Sequence, residues 1–388
     1  MGQNKKIVVL YSTAGLGHKK AALALVDAFK ERIPTENIDL IDVNDYANKL
    51  YRFLYLDAYV FMMSRAKWLW GILYYFSNLP FVDLITKKLR NMLDYKSLPG
   101  LASALKKKDP DVIVSTHFLL PSIAGLLRKS GLNSQMFVVV TDYGPHSYWL
   151  SPDIDVFFVG AVSAGEEMVK RGVDRARIFS TGIPTEGVFD RDLDKAAISA
   201  DSGLDQERRT IFLMSGGFGV GPMVEMLMEL NRCKADIQVI AVCGHNKAAF
   251  DNINRIRHSL QYPLKLFGFT DKVAELMAVS DIMITKAGGI SVTEALNSRL
   301  PMILFGSIPG QETWNEAFLV SGGAAEKAHR IKDIPELANR MLLSMDVYDA
   351  HKAALESLRR PNAAKKIADI VLSWGKESPY NKGGSDNG

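Results

Sequence analysis

Two stretches of the chain open alike. IVVLYSTAGLGH, Ile7 to His18, and IFLMSGGFGVG, Ile211 to Gly221, are each an unbroken apolar run that gives way to a glycine loop before a helical pattern. An apolar run without alternation is what a strand covered on both faces requires, and strand, glycine loop and helix in that order open a nucleotide-binding half. After the first opening, strand-like runs recur at Ile38 to Val43, Val112 to Thr116, Met136 to Thr141 and Val156 to Gly160, with helical patterns such as Lys19 to Arg32 between them. After the second they recur at Ile237 to Cys243, Leu264 to Phe267, Asp281 to Thr285 and Pro301 to Phe305. Strands that alternate with helices predict parallel sheets wound on both faces, so the expected class is α/β with two Rossmann-like, doubly wound domains.

The expected boundaries follow the same pattern. Residues 1–184 form the first domain. The polar stretch 185–209, without long apolar periodicity, is the connection, and 210–374 form the second domain, whose last helical patterns, Ile334 to Leu372, are able to cross back to the first. The tail 375–388, rich in Gly, Ser, Asn and Lys, is expected to be disordered. A chain of 388 residues with 47% hydrophobic content is long and apolar enough for two cores.

Charge changes this picture in one place. The formal net charge is only +4, yet Tyr46 to Lys108 holds eleven Lys or Arg against three Asp, leaving the rest of the chain at −4. The same region carries 13 of the 36 aromatic residues between Tyr46 and Tyr95, among them Trp68, Trp70, Tyr74 and Tyr75. Asp57, Arg65 and Lys67 interrupt its apolar stretches, so it falls short of a membrane-spanning helix, which needs roughly 20 apolar residues. A basic and aromatic surface instead suits a protein lying on a membrane, with rings at the headgroup level and Lys or Arg, such as Lys87, Lys88 and Arg90, toward anionic lipid. The plainer alternative makes these aromatics first-domain core, and about half of them are expected there. No nucleic-acid recognition motif accompanies the block. Cys233 and Cys243 stand in no metal-binding or disulfide spacing, and the short run Ile7 to Tyr11 is too small for a signal-peptide core, so the expected setting is cytoplasmic.

The chemistry concentrates in the second half. TKAGGISVTEAL, Thr285 to Leu296, places Gly288 and Gly289 between a strand and a helix, so that the amides of Gly289, Ile290 and Ser291 face a diphosphate with the positive end of the helix dipole behind them. Glu294, on the second turn, is within reach of a ribose diol; the alternative is an ordinary solvated helix glutamate. In PGQETWN, Gln311, Glu312 and Asn315 are sugar-binding side chains in type, expected on a loop at the carboxyl end of a parallel sheet. Pairs spaced Asp-x-Asp occur at Asp109/Asp111, Asp153/Asp155 and Asp190/Asp192/Asp194, but none falls at a phosphate site.

With AGLGHKKAA near the start, TDYGPHSYW at Thr141 to Trp149, STGIPTEGVF at Ser180 to Phe189, SGGFGVG, FGFTDKVAELMAVSDIMITKAGGISVTEA and IPGQE, the chain resembles the monogalactosyldiacylglycerol synthases and processive diacylglycerol glucosyltransferases. More distantly it is similar to the N-acetylglucosaminyltransferase that forms lipid II. All are inverting glycosyltransferases of the GT-B fold, two Rossmann-like domains facing across a cleft. The resemblance implies transfer of glucose or galactose from UDP-glucose or UDP-galactose to diacylglycerol or a related lipid, without a bound metal or other cofactor, by a protein held peripherally on the cytoplasmic face of the membrane. It gives the diphosphate to Gly289, Ile290 and Ser291, the ribose to Glu294 and the hexose hydroxyls to Gln311 and Glu312. It further implies that Phe269 and Thr270 belong to a loop whose backbone reads uracil, and that Gly216 and Gly217 line the phosphates. Gly17 and His18 then lie where acceptor and donor meet, with Asp142, His146 and Trp149 at the same opening; His18 is the expected general base and Asp142 the second choice.

Two other readings use the same residues. A UDP-N-acetylglucosamine 2-epimerase shares the architecture and donor site but acts on a soluble sugar nucleotide. A UDP-sugar-sensing, membrane-associated regulator would bind the donor without transferring it.

Overall fold

The computed structural model describes residues 5–13, 15–49, 62, 66–216 and 221–375, apart from the side chains of Lys67 and Pro80. The chain folds as two compact units: residues up to Glu186 with 309–311 and those from Asn362 onward, and Gly187–Ile308 with Glu312–Pro361.

The first unit is built on six parallel strands in the order β2-β1-β3-β4-β5-β6: β1 Ile7–Tyr11, β2 Ile38–Asp42, β3 Val112–Ser115, β4 Gln135–Val139, β5 Val156–Phe158 and β6 Ile178–Phe179. Side chains alternate across a strand, and β1 divides its run accordingly. Ile7 and Val9 join one core with Leu25 and Phe29 of the helix Leu16–Lys30 and Ile367 and Val371 of the helix Ala363–Ser373. Val8 and Leu10 join the opposite core with Leu101, Leu105, Ile123 and Trp149. Both faces are covered, which is why the run reads as continuously apolar. The helix Ala363–Ser373 is tied to the first unit by charge as well, through Arg32 to Asp369 at 2.6 Å.

The second unit repeats the plan in the order β12-β11-β10-β7-β8-β9: β7 Arg209–Met214, β8 Ile237–Val242, β9 Leu264–Phe267, β10 Ile282–Thr285, β11 Met302–Leu304 and β12 Ala325–Lys327. Ile211, Val239, Ile284 and Ile303 anchor its core. Strands β6 and β12 escape the sequence pattern because two or three residues at a sheet edge carry too few side chains to show a period. The polar stretch 185–209 carries a 3-10 turn, Gly187–Asp190, and a helix, Lys195–Asp201, whose start Asp194 caps by accepting from the Ala197 amide at 3.0 Å. The disorder expected of 375–388 concerns residues that, after Gly375, lie outside those described.

The basic and aromatic block has a definite form from Lys67 onward. Helices span Lys67–Ser77 and Pro80–Ser97, the second with its proline at the first position. Along Pro80–Ser97, Phe81, Leu84, Ile85, Leu89 and Met92 recur at helical spacing, and all are exposed, Leu84 to 78% and Phe81 to 72%. The opposite face holds the charges. Asp94 is buried, Arg90 pairs with Asp83 at 2.9 Å and lies 3.9 Å above the Tyr148 ring, and Lys87 donates to the Leu150 carbonyl at 2.9 Å. The helix is inverted, with its apolar face outward. This corrects the expectation for the basic side chains: Lys87 and Arg90 are turned into the protein, and of the three only Lys88 is exposed. Among the described residues no helix is long and apolar enough to cross a membrane.

Candidate active site

In the first unit the site grows from the end of β1. Gly15, in extended conformation and with no side chain capping the turn, starts the helix Leu16–Lys30, so Gly17 and His18 belong to its first turn rather than to a loop. Helix starts with polar caps are legible in sequence; this one has none, and the expected start at Lys19 is three residues late. Thr116, just past β3, grips His18 at both ends. Its hydroxyl donates to the His18 carbonyl at 2.9 Å, and its carbonyl lies 2.6 Å from the His18 Nδ1. A carbonyl only accepts, so Nδ1 carries the proton and Nε2 keeps its lone pair. The Thr141 hydroxyl, 3.3 Å from Nδ1, completes the clasp. Burial pushes the His18 pKa down to about 4, against the opposing pull of the Thr116 carbonyl, so the ring is neutral at ordinary pH and able to accept a proton. An unperturbed value near 6.5 is therefore not what His18 has.

A wall of rings continues from His18. The His117 ring meets it edge-on at 4.8 Å and the Trp149 ring stands at 6.5 Å. Phe118, Tyr148, His146 and Tyr74 follow at successive centroid distances of 4.1 Å from His117 to Phe118, 5.9 Å to Tyr148, and 4.4 Å for each remaining step. Trp149 is buried in the core, so it backs this wall rather than lining an open groove. His146 has both nitrogens engaged: Nδ1 accepts from the Tyr148 amide at 3.2 Å, which leaves Nε2 to donate to the Tyr74 carbonyl at 3.1 Å. Burial lowers its pKa to about 4. It joins Thr141–Trp149 to the helix Lys67–Ser77. Asp142, half-buried, is close enough to add to the upward push that burial gives the Tyr74 phenol.

In the second unit the loops after β7, β9 and β10 carry Gly216, Phe269, Thr270 and the glycine run that leads into Gly289. Gly288 precedes the helix Gly289–Asn297, and no side chain caps that start and no acidic residue stands in its first turn. Among the described residues no side-chain cap occupies this start, where the amides of Gly289, Ile290 and Ser291 offer the donors an anion would take. Glu294 is 2% exposed, which excludes the solvated helix glutamate. Gly216 needs its glycine, at φ +68°, while Gly217 lies outside the described residues. Phe269 is 59% exposed and stacks on His245 at 4.5 Å, beside Thr270, whose hydroxyl accepts from the Lys272 amide at 3.1 Å.

PGQETWN is not the loop the sequence suggested: Gln311 opens the helix Gln311–Ser321, which places Glu312 in its first turn and Asn315 one turn on. Gln311 is half-buried. Asn315 is fully enclosed and donates to the Ala287 carbonyl at 2.9 Å, so it braces the glycine loop from below instead of meeting a sugar. Glu312 is buried too. One carboxylate oxygen accepts from the Ile308 amide at 2.7 Å, and the other faces the Lys286 ammonium at 3.4 Å. Neither Lys286 nor His245 is marked by the sequence pattern, although Lys286 stands inside the TKAGG run.

The Asp-x-Asp pairs have structural work instead. Asp111 accepts from the Lys6 amide, Asp155 pairs with Arg128 and Asp192 with Arg299. A cavity of about 510 Å³ lined by Lys195, Arg209, Asp281 and Tyr348 lies at the opposite end of the sheet, where β7 begins, and is separate from these loops.

Residues 18–185 match the family profile of monogalactosyldiacylglycerol (MGDG) synthase, and residues 210–342 match the glycosyltransferase family 28 C-terminal domain. The processive diacylglycerol beta-glucosyltransferase of Bacillus pumilus (strain SAFR-032) is 29% identical over 377 residues, 96% of either chain. Among solved structures, Acinetobacter baumannii MurG is similar with a TM-score of 0.62 at 13% identity, covering 95% of this chain and 99% of its own. A putative UDP-N-acetylglucosamine 2-epimerase from Listeria monocytogenes is similar to the same TM-score at 16% identity, covering 96% and 97%. Two doubly wound parallel sheets with these likenesses define a GT-B glycosyltransferase. Within that class, the chain is similar to the monogalactosyldiacylglycerol synthases over residues 18–185 and to the processive diacylglycerol glucosyltransferases along nearly all of its length.

Proposed function

We propose that the protein transfers a hexose from a UDP-sugar to the hydroxyl of diacylglycerol at a membrane surface, with inversion at the anomeric carbon. The observation that carries the lipid acceptor is the inverted helix Pro80–Ser97. A protein acting on soluble substrates gains nothing from an outward apolar face, whereas an enzyme whose acceptor resides in a bilayer needs one. Glucose is the favoured sugar because the named relative is a glucosyltransferase. The chemical step is a single displacement. The acceptor oxygen attacks the anomeric carbon, its proton passes to the His18 Nε2, and the bond to the UDP oxygen breaks with its electron pair staying on the diphosphate. The Thr116 carbonyl, still accepting from Nδ1, stabilises the imidazolium that forms. Asp142 is the second choice of base. The amides of Gly289, Ile290 and Ser291 receive the diphosphate, Glu294 the ribose, and Gln311 hexose hydroxyls, so the reaction proceeds without a bound metal and survives EDTA.

The outward apolar face also weighs against the epimerase reading, which gives it no task. The test is to incubate the protein with labelled UDP-sugars and mixed diacylglycerol vesicles and to identify the product by mass. A glycolipid that forms only with vesicles supports the proposal. Epimerised UDP-sugar, or UDP binding with no transfer, overturns it.

A further inference from the structure

We infer that Lys286 is a catalytic residue of this transfer: its ammonium takes up the charge that gathers on the diphosphate as the glycosidic bond breaks, and Glu312 is the positioning residue that holds it. The inference rests on the donor reading of the glycine loop and adds to it a group which that reading leaves out.

Three observations converge on Lys286. It is the first residue after β10 and stands three positions before Gly289, so it leaves the sheet at the same end as the first-turn amides. β10 and β7 are neighbours, and Lys286 crosses to the loop after β7, where a Cβ placed on Gly216 would lie 3.6 Å from its Cε and 3.9 Å from its Nζ. Its tip faces Glu312, whose own position is fixed by burial and by the Ile308 amide. A Cβ on Gly288 would lie 3.8 Å from the same Glu312 oxygen that faces Lys286. The ammonium therefore lies beside Gly216 and, through its Glu312 partner, next to Gly288.

The electrostatics suit a leaving group. A lysine ammonium has three donors, and among the described residues the contact with Glu312 at 3.4 Å engages one of them. As the electron pair of the anomeric C–O bond moves onto the β-phosphate oxygen, the diphosphate gains one unit of negative charge. A preplaced cation stabilises that charge without reorganising, which is where catalysis by fixed charge is most effective. Glu312 holds the half-buried lysine in place before the donor arrives. This gives Glu312 a second duty beside the hexose hydroxyls that the family resemblance assigns it.

The test compares UDP with uridine, which lacks the diphosphate, by calorimetry on the parent, Lys286→Met and Lys286→Arg. Lys286→Met should bind UDP at least about tenfold more weakly and uridine within about twofold of the parent, with a turnover loss on the order of 100-fold; Lys286→Arg should recover most of the UDP affinity. Unchanged UDP affinity, or equal losses for UDP and uridine, overturns the assignment. Should Lys286→Met fail to fold, judged by circular dichroism, Glu312→Gln decides. It removes a negative charge beside the ammonium, so UDP should bind as tightly as to the parent or more tightly while turnover falls, and weaker UDP binding overturns the pairing. A parent that binds UDP but makes no glycolipid fails the proposed function alone. One that makes glycolipid while Lys286→Met binds UDP normally fails this inference alone.

Discussion

Replacing Phe81, Leu84 and Ile85 together by serine removes one turn of the outward apolar stripe. The three side chains are 72%, 78% and 62% exposed, so little packing is lost within the protein. Fully burying a side chain of this size gains about 1.5–3 kcal/mol, and roughly seven-tenths of that is still available here, or about 1–2 kcal/mol each. Three such groups withdrawn from water by a bilayer supply about 3–6 kcal/mol, equivalent to a change in partitioning of about 10²–10⁴. The assay is co-sedimentation with sucrose-loaded vesicles containing anionic lipid, with UDP affinity measured in parallel to show that the second unit is undisturbed. Charge supplies a second arm: Lys88→Glu should weaken binding in a salt-sensitive way, by about 1 kcal/mol for the lost attraction alone. Lys87→Glu instead places a second carboxylate beside Asp83, and it should act on the fold. Co-sedimentation of the triple variant at the level of the parent would refute the reasoning and return the helix to some other partner.

Two further outcomes follow. Glu294→Gln keeps the packing of an enclosed side chain and loses the charged acceptor; UDP affinity by calorimetry should fall about tenfold or more, from a charge-assisted bond of about 1.5–3 kcal/mol, and an unchanged affinity would detach Glu294 from the ribose. His18, His117 and His146 all have folded pKa values pushed by burial below the ordinary 6.5, to about 4 for His18 and His146, so between those values the unfolded chain binds more protons than the folded one. Stability should be fully present above about pH 6.5 and fall as pH drops toward 4, and the acid limb of kcat/KM should lie near pH 4 rather than 6.5; denaturant melts and rate profiles check the two separately.

The sequence carried the sheets clearly, because Ile7 to Tyr11 and Ile211 to Met214 must be apolar on both faces, and little besides a strand enclosed in a sheet demands so continuous a run ahead of a glycine loop. Helix orientation was less legible. Along Pro80–Ser97 the spacing separates an apolar face from a charged one, but the same spacing serves either face inward, and only the packing of Asp83, Arg90 and Asp94 decides it. Type alone also misled at Asn315, an amide suited to a sugar hydroxyl that instead braces the Ala287 carbonyl. Lys286 was missed because a lysine beside a glycine pair has no distinguishing mark until the fold brings Gly216 and Glu312 to it. For His18 the residue was legible but its environment was not: Thr116, 98 positions away, sets both its tautomer and its orientation.

The central claim is that His18 removes the proton from a lipid hydroxyl, and transfer by His18→Ala measures it most directly. Labelled hexose should pass from UDP-sugar to diacylglycerol vesicles at least about a hundredfold more slowly than with the parent, while UDP affinity stays within about twofold, since the variant leaves the donor loops intact. A His18→Ala protein that keeps most of its turnover would contradict the account and move the base to Asp142.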